Sequence, residues 1–335
     1  RPLMLFFWFQ PDALSLHWGA LLLAAILVSG VYLDARLGEP SKFHPLVGFG
    51  RWSGVLERAL NRLPGAPGYI LGAIAVVVAL SPLVLIIGLL QASASLSLMS
   101  ACLLQLVILY LCIGWHSLQE HVSDVWRSLA TDDLPAAREE LGKIVSRNTQ
   151  VLDADEVAQA SIESTLENSS DALFATLFWF LIGGAEAALL HRWVNTLDAM
   201  WGYRTERHFY FGWAAARLDD AMAWLPARLT ALSFVFAAGE HRQKALDCWK
   251  TQAKYCDSPN GGVVMTAGAG ALNRKLSQRA DYQGTIKQKP VMGSGMPAGV
   301  DDIPRAIRLV KQALLIQLSL MVFCCLSLHY VTGVM

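Results

Sequence analysis

From Leu63 to Gln119 the chain carries no Asp, Glu, Lys or Arg. Such a run is hard to fold in water, whereas a helix that crosses a bilayer needs roughly 20 apolar residues almost free of charge. The run is long enough for two crossings, and Gln91-Ala92-Ser93-Ala94-Ser95 is the polar break expected to turn them into a helical hairpin. Ala13 to Leu33 and Gln312 to Met335 are also uncharged. Four crossings are therefore predicted, at about 13–33, 69–90, 96–115 and 312–334. Composition agrees, with 54% hydrophobic residues, 16% charged and a mean hydropathy of +0.39. The first run has no basic segment before it and no clear cleavage site after it, so it is expected to stay as a crossing.

Two weaker apolar stretches, 172–190 and 221–239, are predicted to be re-entrant or interfacial. Ala172 to Ala185 is uncharged but covers only about half a bilayer before Glu186 interrupts it, and Leu229 to Gly239 is shorter still. Basic residues give a separate guide, because cytoplasmic loops collect them. Asp34 to Arg62 holds five, Glu120 to Asp171 four, Glu186 to Arg228 five and Glu240 to Lys311 twelve, which is 26 of the 27 in the chain. The expectation is an all-α, polytopic transmembrane protein forming one membrane-embedded domain over 1–335. Its large helical loops, 34–62, 120–171, 191–220 and 240–311, are placed on the cytoplasmic side of a bacterial inner membrane. Six crossings with Glu186 to Arg228 outside is the alternative. A net charge of zero gives no reason to expect a nucleic-acid partner. The six cysteines show neither metal spacing nor a disulfide framework, which leaves packing thiols.

The polar loops are too rich in Asp, Glu, Arg, Asn and Gly for mere connections. After the first crossing, Asp34-Ala35-Arg36-Leu37-Gly38-Glu39-Pro40 and His44-Pro45 form a turn at the membrane surface, read either as a ligand-facing cluster with Glu39 and His44 or as a helix stop with solvated charges. Asp153 with Glu156 three residues on is a capping-box signature. In the helix it opens, Glu156, Gln159, Glu163, Glu167, Ser170 and Asp171 share one narrow face. Three carboxylates at i, i+4 and i+8 repel unless a cation sits among them, and oxygen ligands of this kind suit Mg²⁺ with substrate phosphates. An ordinary solvated face is the plain alternative. Asn195-Thr196-Leu197-Asp198, Arg204, Arg207, Arg217-Leu218-Asp219-Asp220 and Arg228 mix acids with arginines, which fits ion pairs and phosphate binding equally. Ser258-Pro259-Asn260-Gly261-Gly262, Gly268-Ala269-Gly270 and Gly293-Ser294-Gly295 are read as glycine-rich turns that could wrap a phosphate. No G-x-x-x-x-G-K-[ST] occurs, so any nucleotide is held in another way. His116 and His121 flank Glu120, but five residues do not bring two rings to one helical face, and the pair is discounted as a metal site.

These motifs together resemble the cobinamide-phosphate synthase family of cobalamin biosynthesis. The likeness runs from about Val31 to Arg308 and rests on Gly38-Glu39-Pro40 with His44-Pro45, Arg147-Asn148-Thr149, Glu163-Ser164-Thr165-Leu166-Glu167-Asn168-Ser169-Ser170-Asp171, Asn195-Thr196-Leu197-Asp198 through Gly202-Tyr203-Arg204, Ala216-Arg217-Leu218-Asp219-Asp220, Pro226-Ala227-Arg228 and Ser258-Pro259-Asn260. The chain departs from the family pattern at Glu39, where Asp is common, at Ala172, where Gly is common, and at Thr176, where Pro is common. The resemblance implies an ATP-dependent ligase that joins (R)-1-amino-2-propanol, or its O-phosphate, to the carboxylate of a corrinoid, cobyric acid. An acyl phosphate would supply the leaving group, with Mg²⁺ and arginines stabilising charge on the transferring phosphoryl. It further implies Glu163, Glu167 and Asp171 as metal ligands, and Asp198, Asp219, Asp220 and Glu39 as catalytic residues. Arg204, Arg207, Arg217, Arg228, Asn195, Asn168, Asn260 and His44 are its expected binding residues for ATP and the phosphates. A membrane transporter or a regulatory relative that has lost the reaction is the other reading. A transporter would bury its charges inside the spans. The lipid bilayer is the one certain partner, and the spans leave room for a homo-oligomer without requiring one.

Overall fold

The computed structural model describes residues 13–40, 44–203, 205–276, 279–282 and 285–334. Helices dominate: α1 (Ala13–Leu37), α2 (Pro45–Leu60), α3 (Ala66–Leu80), α4 (Leu83–Leu96), α5 (Leu98–Cys112), α6 (Trp115–Ala130), α7 (Leu134–Gly142), α8 (Ala154–Ser169), α9 (Thr176–Trp201), α10 (Trp213–Ala237), α11 (Arg242–Gln252), α12 (Gly261–Leu272) and α13 (Asp302–Val334). Four short strands complete the described chain. β1 (Arg274–Lys275) pairs in parallel with β4 (Met296–Pro297), and β2 (Arg279–Tyr282) pairs antiparallel with β3 (Thr285–Gln288).

Five helical stretches are long and apolar enough to cross a membrane: Gly19–Leu37, Ala66–Ser93, Leu98–Ala130, Ala154–Trp201 and Asp302–Val331. Four of them overlap the charge-free runs, and the fifth takes in 172–190. Large apolar side chains such as Val77, Leu85, Leu89, Met99 and Leu103 point outward from these helices, as lipid-facing side chains do. The stretch 221–239 lies mostly in α10, which carries Pro226 within it. The turn of the hairpin differs from the sequence expectation. α4 runs on through Gln91–Ser95 to Leu96, because Ser93 and Ser95 turn their hydroxyls back onto the carbonyls of Leu90 and Ala92. The chain reverses at Ser97, whose Oγ caps α5 by accepting from the Ser100 N–H at 3.0 Å.

The chain forms two compact units. The first comprises 1–114, 175–223 and 320–335. In it α9 packs on α1, α2, α3, α4 and α5. The core is aromatic: the Phe49 and Trp193 rings stack at 4.5 Å between α2 and α9, and Trp201 meets Phe211 edge-on at 5.1 Å. Gly72 of α3 lies against the Phe211 carbonyl so closely that a Cβ would overlap it. α9 is broken at Gly183 and Gly184, where Gly184 takes φ +65°, a conformation side chains disfavour. The Ala185 N–H beyond the break has no carbonyl in its own helix to meet and donates instead to Gln105 Oε1 of α5 at 2.9 Å.

The second unit comprises 115–174 and 224–319. Its centre is α8, buried along most of its length from Val157 to Ser169, with α6, α7 and α12 packed on it. The capping box at its start is complete. Asp153 Oδ1 accepts from the Glu156 N–H at 2.8 Å, and Glu156 Oε2 accepts from the Asp153 N–H at 3.1 Å. A π-helical turn, Ser170–Ala175, follows α8. Gly268 and Gly270 are not turn residues: both lie inside α12, where a Cβ would come within 2.6 Å of Leu166 and 2.7 Å of the Ala245 Cα respectively. Small residues there let α12 approach α8 and α11 closely. Gly293, in a β-bridge with Lys275, and Gly295 take φ +94° and +79°, the region that favours glycine.

Candidate functional site

Polar side chains gather in small groups within each unit. In the second unit the centre is Glu163, which is 2% exposed. Its Oε2 accepts from Arg147 and, at 2.6 Å, from Lys289 Nζ. The two cations are themselves 10% and 16% exposed. A carboxylate so deeply buried is tolerable because two cations meet it. No Lys or Arg stands on α8 itself to relieve its acids. The relief comes from residues 16 and 126 positions away in the chain. Asn168 donates to Ser164 Oγ at 2.8 Å, and Ser164 in turn donates to the Ile144 carbonyl.

Around the start of α12, Arg228 Nη1 donates to Asn260 Oδ1 at 2.8 Å and to the Trp224 carbonyl at 2.7 Å, while its guanidinium stacks 4.4 Å from the centre of the Trp224 ring. Ser258 Oγ accepts from the Gly261 N–H at 2.9 Å. Glu167 Oε1 lies against Gly261 where any Cβ would stand. The Cys256 thiol is raised above its ordinary value, first by burial and further by the charges of Asp257, Glu167 and Glu163, against the opposing pull of Lys289. That thiol is thus kept neutral and unreactive.

In the first unit Glu57 of α2, 7% exposed, takes a bidentate pair of hydrogen bonds from Arg207, and Asn61 Nδ2 donates to it at 3.0 Å. His208 Nε2 lies 3.4 Å away. Burial alone would raise the Glu57 carboxyl, but the hydrogen bonds from Arg207 and Asn61 outweigh it and hold the group below its usual range. A second group, Asp198, Asp219 and Asp220, stands where α9 ends and α10 begins. Asn195 Nδ2 donates to Asp219 Oδ1 at 3.4 Å, Arg192 Nη1 donates to Asn195 at 3.3 Å, and Arg217 pairs with Asp220 at 3.7 Å. Burial, then the charge of Asp198, pushes the Asp219 carboxyl up to about 7. His44 caps α2, its Nδ1 accepting from the Leu46 N–H at 3.3 Å, and burial lowers its pKa.

The expected site residues therefore divide between the two units. Glu163, Glu167, Asp171, Asn168, Arg228 and Asn260 belong to the second unit; Asp198, Asp219, Asp220, Asn195, Arg207, Arg217, His44 and the exposed Glu39 belong to the first. Arg204 lies outside the described residues. Arg147, Lys289, Glu57 and Arg192 were not singled out as site residues. Only Arg147 had a signal, through the Arg147-Asn148-Thr149 motif. Glu163 faces two cations, Arg147 and Lys289, and one turn on Glu167 stands beside Gly261.

The model of the CobD/CbiB protein family matches residues 27–310. The chain belongs to the CobD/CbiB family. A cobalamin biosynthesis protein CobD of Chromobacterium violaceum is 47% identical over 302 residues, covering 87% of this chain and 93% of that one. Its counterpart in Stutzerimonas stutzeri is 44% identical over 89% of this chain and 96% of its own length, and that of Halalkalibacterium halodurans is 35% identical over 86% and 92%. No solved structure matches the chain.

Proposed function

We propose that this chain is a cobalamin-pathway ligase of the inner membrane that forms an amide between a corrinoid carboxylate and (R)-1-amino-2-propanol or its O-phosphate, using ATP, with its polar loops on the cytoplasmic side. Membership of a family whose curated relatives are cobalamin biosynthesis proteins supports the pathway. The observation that carries the chemistry is the clamped Glu163: one buried carboxylate holding Arg147 and Lys289 in fixed positions, as a site for polyanions requires.

In the proposed reaction the substrate carboxylate attacks the γ-phosphorus of ATP, and ADP leaves. The amine then attacks the acyl carbon, and phosphate leaves as the C–N bond forms. Arg147, Lys289 and Arg228 bind phosphoryl oxygens, and Glu163 and Asn260 orient them. Mg²⁺ would offset phosphate charge there, with Glu167 and Asp171 of the same unit as the carboxylates that would hold it. The amine has to lose a proton before it attacks, and Asp219 of the first unit, titrating near neutrality, is a base able to take a proton from an ammonium group.

The test is direct. The chain purified in detergent is incubated with cobyric acid, ATP, Mg²⁺ and each amine, and product mass is followed. A product heavier by the amine less water, with one ADP formed per amide, is expected. No product with either amine from a folded protein would sink the proposal.

A further inference from the structure

Outside these groups, three metal-ligating side chains meet on the α6–α7 hairpin. His121 and Asp124 stand three residues apart on α6, so both project from one face, and Glu140 of α7 joins them. One ligand atom from each lies within 4.8 Å of the other two. That spread is a small side-chain rotation away from the separations around a tetrahedral ion whose bonds are about 2.0–2.2 Å. His121 Nδ1 is shielded from solvent and meets no hydrogen-bond partner among the described residues. Ring nitrogens so placed are normally satisfied.

Among the described residues the two carboxylates pair with surface cations. Arg127 meets Asp124 and Lys143 Nζ lies 2.7 Å from Glu140, and these bases are 62% and 47% exposed. Exposed pairs within one helix turn are weak, and a dication can displace them.

We propose that His121, Asp124 and Glu140 form a binding site for a divalent transition-metal ion, Zn²⁺ fitting best. An imidazole among the ligands favours such an ion over Mg²⁺ or Ca²⁺, which take oxygen alone. Three protein ligands leave a fourth position for water. The ion ties α7, nine residues long and too short to persist alone, to α6 across the turn where Asp132 takes φ +57°.

The test uses the full chain in detergent, stripped with EDTA and titrated with Zn²⁺ by calorimetry. One Zn²⁺ per chain is expected, with a rise in the thermal unfolding midpoint. His121→Ala and Glu140→Gln should each weaken binding at least tenfold and remove the midpoint rise. Glu140→Gln keeps the side chain's size and reports the same loss where His121→Ala fails to fold. The double variant Arg127→Ala, Lys143→Ala should bind Zn²⁺ several-fold more tightly, since the competing cations are gone. No Zn²⁺ binding by the parent chain, unchanged binding in Glu140→Gln, or Mg²⁺ bound as tightly as Zn²⁺ would each overturn the proposal.

Discussion

Arg207 closes on Glu57 through two parallel hydrogen bonds, Nε to Oε1 at 2.8 Å and Nη2 to Oε2 at 2.7 Å, although the arginine is 64% exposed and the glutamate is buried. The asymmetry decides which partner matters. Arg207→Ala strands a buried charge, whereas Glu57→Gln leaves an arginine that water already reaches. Arg207→Ala is expected to lower the unfolding midpoint by several degrees and Glu57→Gln by less. The folded Glu57 carboxyl is depressed, so its contribution is present above the unfolded carboxyl value of about 4.3 and is lost as pH falls through the folded value. Melting curves of the parent and Arg207→Ala should therefore converge on acidification.

Asp219 runs the other way. Its folded carboxyl is raised to about 7, so the stability it contributes is present below the unfolded value and lost as pH rises through about 7. Asp219→Asn should be the less sensitive protein between pH 6 and 8. Ligation should show an acidic limb near pH 7 in the parent, and Asp198→Asn, by removing a neighbouring negative charge, should shift that limb to lower pH. A limb that stays in place in Asp198→Asn would show that another group sets it.

Glu163 holds two cations with one oxygen. Glu163→Gln leaves both nearly buried without a counter-charge and should cost about 3–5 kcal/mol. Lys289→Gln leaves Arg147 on the carboxylate and should cost less. Chemical denaturation in mild detergent checks the order.

The glycines of α12 separate packing from function. Gly270→Ala would press on the Ala245 backbone and is expected to cost about 1–3 kcal/mol. Gly261→Ala would meet the end of the Glu167 side chain, which can swing aside, and come within 3.3 Å of Ser258 Oγ. Its stability should hardly change, while ligation falls at least tenfold if Glu167 has to stay where it is. Comparing unfolding midpoints with turnover distinguishes the two.

Much of the scaffold could be read from residues alone, because missing charge is a long, strong signal. The uncharged run from Leu63 to Gln119 and the Asp153–Glu156 capping box both appear in the folded chain. What failed depended on partners far away in sequence. The burial of Glu163 against Lys289 was not legible because nothing in a single helix announces that a residue 126 positions on will reach it. Gly268 and Gly270 looked like turn residues because a glycine chosen for close helix packing carries no local mark of it. His121 was discounted together with His116, and the acids that lie near it, Asp124 and Glu140, stand three residues on and on the next helix.

The break in α9 bears on how the protein is made. While α9 enters the membrane alone, the amide of Ala185 has no acceptor in hydrocarbon, and an unmet backbone donor there costs several kcal/mol. Its acceptor, Gln105, is on α5, which the ribosome has already delivered. Synthesis order thus supplies the receptor before the segment that needs it, and a circularly permuted chain that inserts α9 ahead of α5 should stall at insertion even though every native contact remains encoded.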